Sequence, residues 1–241
     1  MISNGKFYES QFEEATIELL REAHWQYAFG DDIHRKYTDP LIEEDLRNFL
    51  TVQYKDKNLT TSEMDSIVAN LRNTGGQNDY YALRNAFLLY RDGYDFAYSD
   101  GRDNPFRLEY IDFEHPDHNI FRCVNQFVME QGRENRRPDI LLFINGIPVC
   151  IIELKNPTKQ NATIHDAHTQ ICTRYMRDIP ALLKYCALAV ISDGAKNALG
   201  TTYTPFEFFY EWKKIENEDK AGKGLDTLRT LIRGALSPER I

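Results

Sequence analysis

Asp139, Glu153 and Lys155 are the side chains whose types and spacing could do chemistry. They fall in one run, Arg137-Pro-Asp-Ile-Leu-Leu-Phe-Ile-Asn-Gly-Ile-Pro-Val-Cys-Ile-Ile-Glu-Leu-Lys155. Two hard-oxygen carboxylates beside an ammonium suit a cation such as Mg²⁺, which keeps several waters and takes one or two carboxylates plus phosphate oxygens. Such a set would activate water against a phosphodiester. The same residues admit a plainer reading, in which Asp139 caps a turn while Glu153 and Lys155 form a solvated surface pair.

The flanking elements decide whether these groups can meet. Ile140 to Ile144 and Val149 to Ile152 are nearly continuous apolar runs, the pattern of strands covered on both faces. Asn145-Gly146 marks the turn between them. Side chains alternate along a strand, so Glu153 and Lys155 share a face. A tight hairpin centred on Asn145-Gly146 pairs Phe143 with Pro148 and Asp139 with Ile152, leaving Glu153 on the wrong face. A loop one residue longer, with Gly146 at positive φ as a bulge, pairs Ile144 with Pro148 and Asp139 with Glu153. The second register is the expectation, with Pro148 suited to a bulge because it lacks a backbone donor.

The segment resembles the catalytic core of the PD-(D/E)xK nuclease superfamily, and the chain more narrowly resembles the N-terminal nuclease domain of type I restriction endonuclease R subunits. The likeness runs from about Phe12 to Gly200. Phe12-Glu-Glu-Ala-Thr-Ile-Glu-Leu-Leu20 looks like the family's opening helix, with Trp25 and Tyr27 after it. Asn119-Ile-Phe-Arg-Cys-Val-Asn-Gln-Phe127 looks like the strand-to-helix lead-in before the aspartate. Leu154-Lys-Asn-Pro157 opens toward a helix bearing Gln170 and Tyr175, and Val190-Ile-Ser-Asp-Gly194 closes another strand.

The resemblance implies a mixed β-sheet flanked by helices, with an additional helical segment, and a metal-dependent endonuclease acting on double-stranded DNA. It implies Asp139 and Glu153 as ligands of Mg²⁺ and Lys155 as the group that orients water and steadies phosphate charge. A glutamate of the first helix completes such sites. Glu13, at the edge of the Phe12–Ala15–Thr16–Leu19–Ala23 stripe, is the first choice, and Glu14 the alternative. Gln170 and Tyr175 correspond to a Gln-x-x-x-Tyr motif, but here they stand one residue too far apart to share an ideal helix face. Either the helix bulges or one of them is not the motif residue.

The resemblance also implies methyltransferase and specificity subunits as partners, and ATP use by motor domains that this chain does not contain. On that reading residues 1–241 are one nuclease domain. Core elements fall near 9–29 and 106–205, a helical insertion near 40–92, and a helical region at 225–241 leads toward the motor. Two other readings remain open. One is a stand-alone repair or junction nuclease of the same superfamily, and the other a non-catalytic docking module.

Composition narrows the field. The chain has 241 residues, 42% apolar and 27% charged, an ordinary globular balance. No long apolar run suggests a membrane span or a secretory signal. Cys123, Cys150, Cys172 and Cys186 lie in apolar surroundings without Cys-x-x-Cys spacing, as reduced cysteines of a cytoplasmic protein do. His165 and His168, one helical turn apart, read as a surface pair in the absence of matching ligands. A net charge of −8 argues against DNA binding as a bulk property, so any basic patch must be local. Arg133, Arg136, Arg137, Lys155 and Lys159 are its candidates. No Gly-x-x-x-x-Gly-Lys-Ser/Thr loop is present, so ATP binding is not expected.

Periodicity gives helices at Glu9–Ala23, Ile42–Leu50, Ser62–Leu71, Asn78–Arg91, His165–Arg177 and Leu225–Leu236. Strands are expected at Trp25–Phe29, Leu108–Phe113 and Ala187–Ser192 besides the central hairpin. Thr60-Thr-Ser-Glu63 reads as a helix entry, Gly93 as a helix stop, Thr74-Gly-Gly-Gln77 as a turn and Glu216–Gly224 as a polar loop.

Overall fold

The computed structural model describes residues 9–155, 163–215 and 222–241. In chain order the elements are α1 (Glu9–Glu22), β1 (Gln26–Phe29), α2 (Glu43–Gln53), α3 (Thr61–Asn73), α4 (Asp79–Asp92), β2 (Tyr94–Phe96), β3 (Phe106–Leu108), β4 (Phe121–Asn125), β5 (Met129–Gln131) and β6 (Glu134–Arg136). Then follow β7 (Ile140–Ile144), β8 (Ile147–Leu154), α5 (Ile164–Thr169), a π-helical turn (Gln170–Tyr175), α6 (Met176–Asp178), α7 (Pro180–Leu183), β9 (Leu188–Ser192), β10 (Asn197–Gly200) and α8 (Leu225–Ala235). Residues 216–221 of the expected polar loop, and Lys159, lie outside the described residues.

A six-stranded mixed sheet in the order β1-β4-β7-β8-β9-β10 forms the centre. The β1/β4 and β8/β9 pairs are parallel and the others antiparallel. One face packs on Phe12, Leu20, Leu46, Ile67 and Leu231 from α1, α2, α3 and α8. The other packs on Ala167, Ile171, Tyr175 and Leu182 from the α5–α7 stretch. The molecule is therefore a helix–sheet–helix sandwich, the arrangement that covers a sheet whose central strands β7 and β8 are buried throughout. No helix among the described residues is long and apolar enough to cross a membrane.

Local signals account for most boundaries. Thr60 and Glu63 form a reciprocal capping box at the start of α3, with Glu63 N donating to Thr60 Oγ1 at 3.3 Å and Thr60 N to Glu63 Oε2 at 2.9 Å. Gly93, at φ 67°, ends α4. Two expectations fail. Only Phe106–Leu108 of the region up to Phe113 is strand, because the buried Asp112 carboxylate captures the Glu114 and His115 amides and turns the chain. The stretch after β4 leads not into a helix but into the β5–β6 ribbon, through Gln126 at φ 55°.

The β7–β8 hairpin also departs from the expected register. Its turn is the tight one, pairing Ile144 with Ile147 and Phe143 with Pro148. Asn145 and Gly146 both take positive φ, 50° and 76°, as a type I′ turn requires. The extra residue lies farther along, at Val149, where the register jumps from Phe143–Pro148 to Leu142–Cys150. Beyond it Ile140 pairs with Ile152, which sets Asp139 against Glu153 as expected but by another route.

Burial follows this phase change. Ile147 and Val149 face the α1–α4 layer, yet Cys150, Ile152 and Leu154 face it too, and Ile151 faces the other. The turn itself is tightly seated. Asn145 Nδ2 donates to Tyr110 O at 2.9 Å, Asn145 Oδ1 accepts from Ile120 N at 2.7 Å, and Gly146 O accepts from Ile42 N at 2.9 Å. A Cβ on Gly146 would stand 2.1 Å from Ile42 O. Gly146→Ala should therefore cost roughly 2–4 kcal/mol in urea unfolding, from positive φ plus a backbone clash. Gly132→Ala, at similar φ but with open space around it, should cost only about 1 kcal/mol.

Candidate active site

Glu153 sits at the end of β8 and, because of the Val149 bulge, points into the layer formed by α5 and the π turn. It is 1% exposed. Its Oε1 accepts from Lys155 Nζ at 2.8 Å, while its Oε2 is buried without a hydrogen-bond partner. Burial, and then the neighbouring Asp139 charge, push its pKa from 4.5 up to about 8, against the opposing pull of Lys155 and of the adjacent Tyr175 hydroxyl. A carboxylate oxygen buried without a donor is costly unless a proton or a cation joins it. The donor set thus fits a hard divalent ion held by Asp139 and Glu153.

Asp139 is half-buried, immediately before β7, and its Oδ2 accepts from Leu154 N at 2.7 Å. That bond ties the aspartate to the backbone between Glu153 and Lys155. The Lys155 amide in turn donates to Ser192 O of β9 at 2.8 Å, so three strand ends converge here. The Lys155 side chain is 13% exposed, and its ammonium donates to Gln170 Oε1 at 2.7 Å as well as to Glu153.

The π turn explains the Gln170–Tyr175 spacing. It widens the helix by one residue, so the two side chains meet across it and Gln170 Nε2 donates to Tyr175 Oη at 2.7 Å. The Tyr175 hydroxyl also donates to Arg137 O at 3.5 Å, just upstream of Asp139. Burial raises the Tyr175 pKa, with the Glu153 charge adding to it, so the phenol stays protonated. The continuous chain Glu153–Lys155–Gln170–Tyr175–Arg137 O fixes the ammonium beside the buried carboxylate.

Glu13 and Glu14 separate clearly. Glu14 is exposed, whereas Glu13 is half-buried and accepts from Asn125 Nδ2 at 2.7 Å and Gln126 Nε2 at 3.0 Å. Asn125 pairs with Ile140 next to Asp139, so Glu13 approaches the same end of the sheet from the α1 side. Gln126 holds its positive φ there against Gly30, where a Cβ would meet Gln126 O at 2.5 Å. Of the basic candidates, Arg136 is committed elsewhere, donating to Asp178 Oδ2 at 2.7 Å and to Glu134. Arg137 is exposed two residues before Asp139, and Arg133 is exposed at the turn of the β5–β6 ribbon.

His168 Nε2 lies 2.9 Å from Thr204 O, and both His165 and His168 pack against Phe206, so this pair is used in packing. All four cysteines are unpaired, three of them buried and Cys172 half-buried. Sequence reasoning passed over Asp112, His115 and His118, whose ligand atoms lie within 4.8 Å of one another. The regular Asp-x-x-His-x-x-His spacing was the available signal.

Comparisons with known proteins bear on the whole constellation. The chain is 29% identical over 243 residues to the type I restriction enzyme HindI endonuclease subunit of Haemophilus influenzae, covering 96% of this chain and 23% of that protein. It is 24% identical over 204 residues to the type I restriction enzyme SsaAORF53P endonuclease subunit of Staphylococcus saprophyticus, covering 81% of this chain and 20% of that protein. It is 31% identical over 133 residues to the type I restriction enzyme EcoprrI endonuclease subunit of Escherichia coli, covering 52% of this chain and 40% of that protein. The chain spans about a quarter or less of the first two relatives. The family described as type I restriction enzyme R protein N terminus matches residues 6–208, a span holding Glu13, Asp139, Glu153, Lys155, Gln170 and Tyr175, and the chain belongs to that family.

Proposed function

We propose that this chain is the DNA-cleaving domain of a type I restriction enzyme R subunit, a PD-(D/E)xK nuclease that hydrolyses phosphodiester bonds with Mg²⁺. The observation that carries the reading is the buried Glu153 with its unpartnered oxygen, set against Asp139 and paired to Lys155. Asp139 and Glu153 would hold the ion, with Glu13 completing the site from α1. When bound, the metal lowers the pKa of a water and neutralises phosphate charge. Lys155 holds its ammonium at the same place, where it orients the attacking water and steadies the negative charge developing on the phosphate. Gln170 and Tyr175 are positioning residues that keep the ammonium aimed.

DNA would approach along exposed Arg133 and Arg137, with Lys159 a further candidate from the sequence. The net charge of −8 makes tight binding by this chain alone unexpected, so delivery falls to partner subunits. ATP-driven translocation would belong to motor domains beyond this chain, and site recognition and methylation to specificity and methyltransferase subunits.

In an assembled enzyme carrying this domain, Asp139→Ala and Lys155→Ala should each lower Mg²⁺-dependent plasmid cleavage by at least about 100-fold. ATPase activity should persist. Undiminished cutting would remove these residues from the chemistry. Gln170→Ala should lose roughly tenfold to a hundredfold in cleavage, as loss of an outer-layer partner does.

The raised Glu153 pKa predicts a pH signature. Between 4.5 and about 8 this carboxyl is neutral in the folded chain but charged in the unfolded one. Without divalent metal, wild-type stability should therefore fall across that window as pH rises. Glu153→Gln should remove this component, and saturating Mg²⁺ should restore wild-type stability at the upper end. Denaturant unfolding at pH 5 and pH 8.5 would detect the difference, and parallel curves would refute it.

A further inference from the structure

The loop between β3 and β4 carries a second group of ligand-type side chains that the nuclease reading leaves unused. Asp112 Oδ2 lies 3.0 Å from His118 Nδ1 and 3.6 Å from His115 Nδ1. The two imidazoles are nearly parallel, 19° between planes and 4.9 Å between centroids. Ligands about 2.0–2.1 Å from a tetrahedral Zn²⁺ stand about 3.3 Å from one another. The loop therefore sets a carboxylate oxygen near that spacing from each of two ring nitrogens, with all three ligand atoms within 4.8 Å of one another.

The carboxylate is pre-set. Asp112 is 4% exposed, and its Oδ1 accepts from Glu114 N at 3.1 Å and His115 N at 2.8 Å. Gln53 Nε2 donates to its Oδ2 at 3.0 Å, and its own amide donates to Asn119 Oδ1 at 2.9 Å. Such outer partners orient a ligand before an ion arrives. A short helical turn, Pro116–His118, folds His118 back beside His115, and both rings are at least half exposed, which leaves an entry path.

This group is separate from the Asp139–Glu153 site. Asn119 Oδ1 accepts from Asn145 Nδ2 at 2.7 Å, which places the loop at the hairpin turn, the opposite end of β7 from Asp139. A strand of this length separates the ends by roughly 17 Å at about 3.4 Å per residue. The donor chemistry differs as well, since imidazole suits Zn²⁺ and related ions, while oxygen-only sets suit Mg²⁺. We propose that Asp112, His115 and His118 bind one divalent transition ion of the Zn²⁺ class, with its remaining positions open to water.

The test titrates the whole 241-residue chain, stripped of metal, with Zn²⁺ in a calorimeter while Mg²⁺ is in large excess. One equivalent should bind at micromolar affinity or tighter. His115→Ala and His118→Ala, both exposed substitutions, should each weaken binding at least tenfold, and His165→Ala should not. In the wild type, Zn²⁺ should shift the ring resonances of His115 and His118 and of no other histidine, a readout that needs no variant to fold. No saturable Zn²⁺ binding, or binding that neither substitution weakens, would overturn the proposal and leave Asp112 as a turn cap hydrogen-bonded to His118.

Discussion

One extra residue, Val149, governs what the central hairpin can do. Side chains alternate with a period of two along a strand, so inserting a single residue inverts every position that follows. Before the bulge, Ile147 and Val149 face the α1–α4 layer; after it, Glu153 faces the opposite layer with Ile151. Without the inversion Glu153 would lie under α1, on the wrong face for Gln170 and Tyr175. Pro148 sits beside the irregularity, where its missing donor does least harm to the ladder.

The π turn answers the strand bulge. Bringing Glu153 into a covered layer strips a carboxylate of water, and an isolated buried charge costs several kcal/mol. Lys155 offsets part of that cost, and the π turn lets Gln170 and Tyr175 hold the ammonium from the other side. A regular helix would send one of the two away from the site. The bulge and the π turn are thus matched deviations, each placing polar groups where a regular element would place apolar ones, a pattern common where structure serves a site.

Sequence legibility divides along the same lines. The Asp139–Glu153 pairing is expected, but through a longer turn that the hairpin does not have, whereas the apolar runs, the Asn145-Gly146 turn and the Thr60–Glu63 cap could be read directly. The position of the bulge could not. Val149, Cys150, Ile151 and Ile152 are all apolar, so hydrophobicity carries no phase information across the residue where phase changes. Gln170 and Tyr175 announced a bulge by misfitting an ideal helix, because a polar pair fixes helix phase better than an apolar stripe does. Tyr110 to Phe113 misled for a different reason: a buried aspartate can take backbone amides from a would-be strand, and nothing in local periodicity reveals where its oxygens point.

The Arg136–Asp178 pair joins two pieces of chain that lie far apart in sequence. Arg136 closes the β5–β6 ribbon, and Asp178 ends α6, which follows the π turn. Arg177 clamps the same carboxylate at 2.6 Å, and Glu134 holds Arg136 from within the ribbon. Ribbon and helix end are thereby riveted together, with Pro138 and Asp139 running out from the joint. Asp139 follows Arg136 by three residues, so an ion pair made 42 residues apart in sequence anchors the chain just before it enters the aspartate.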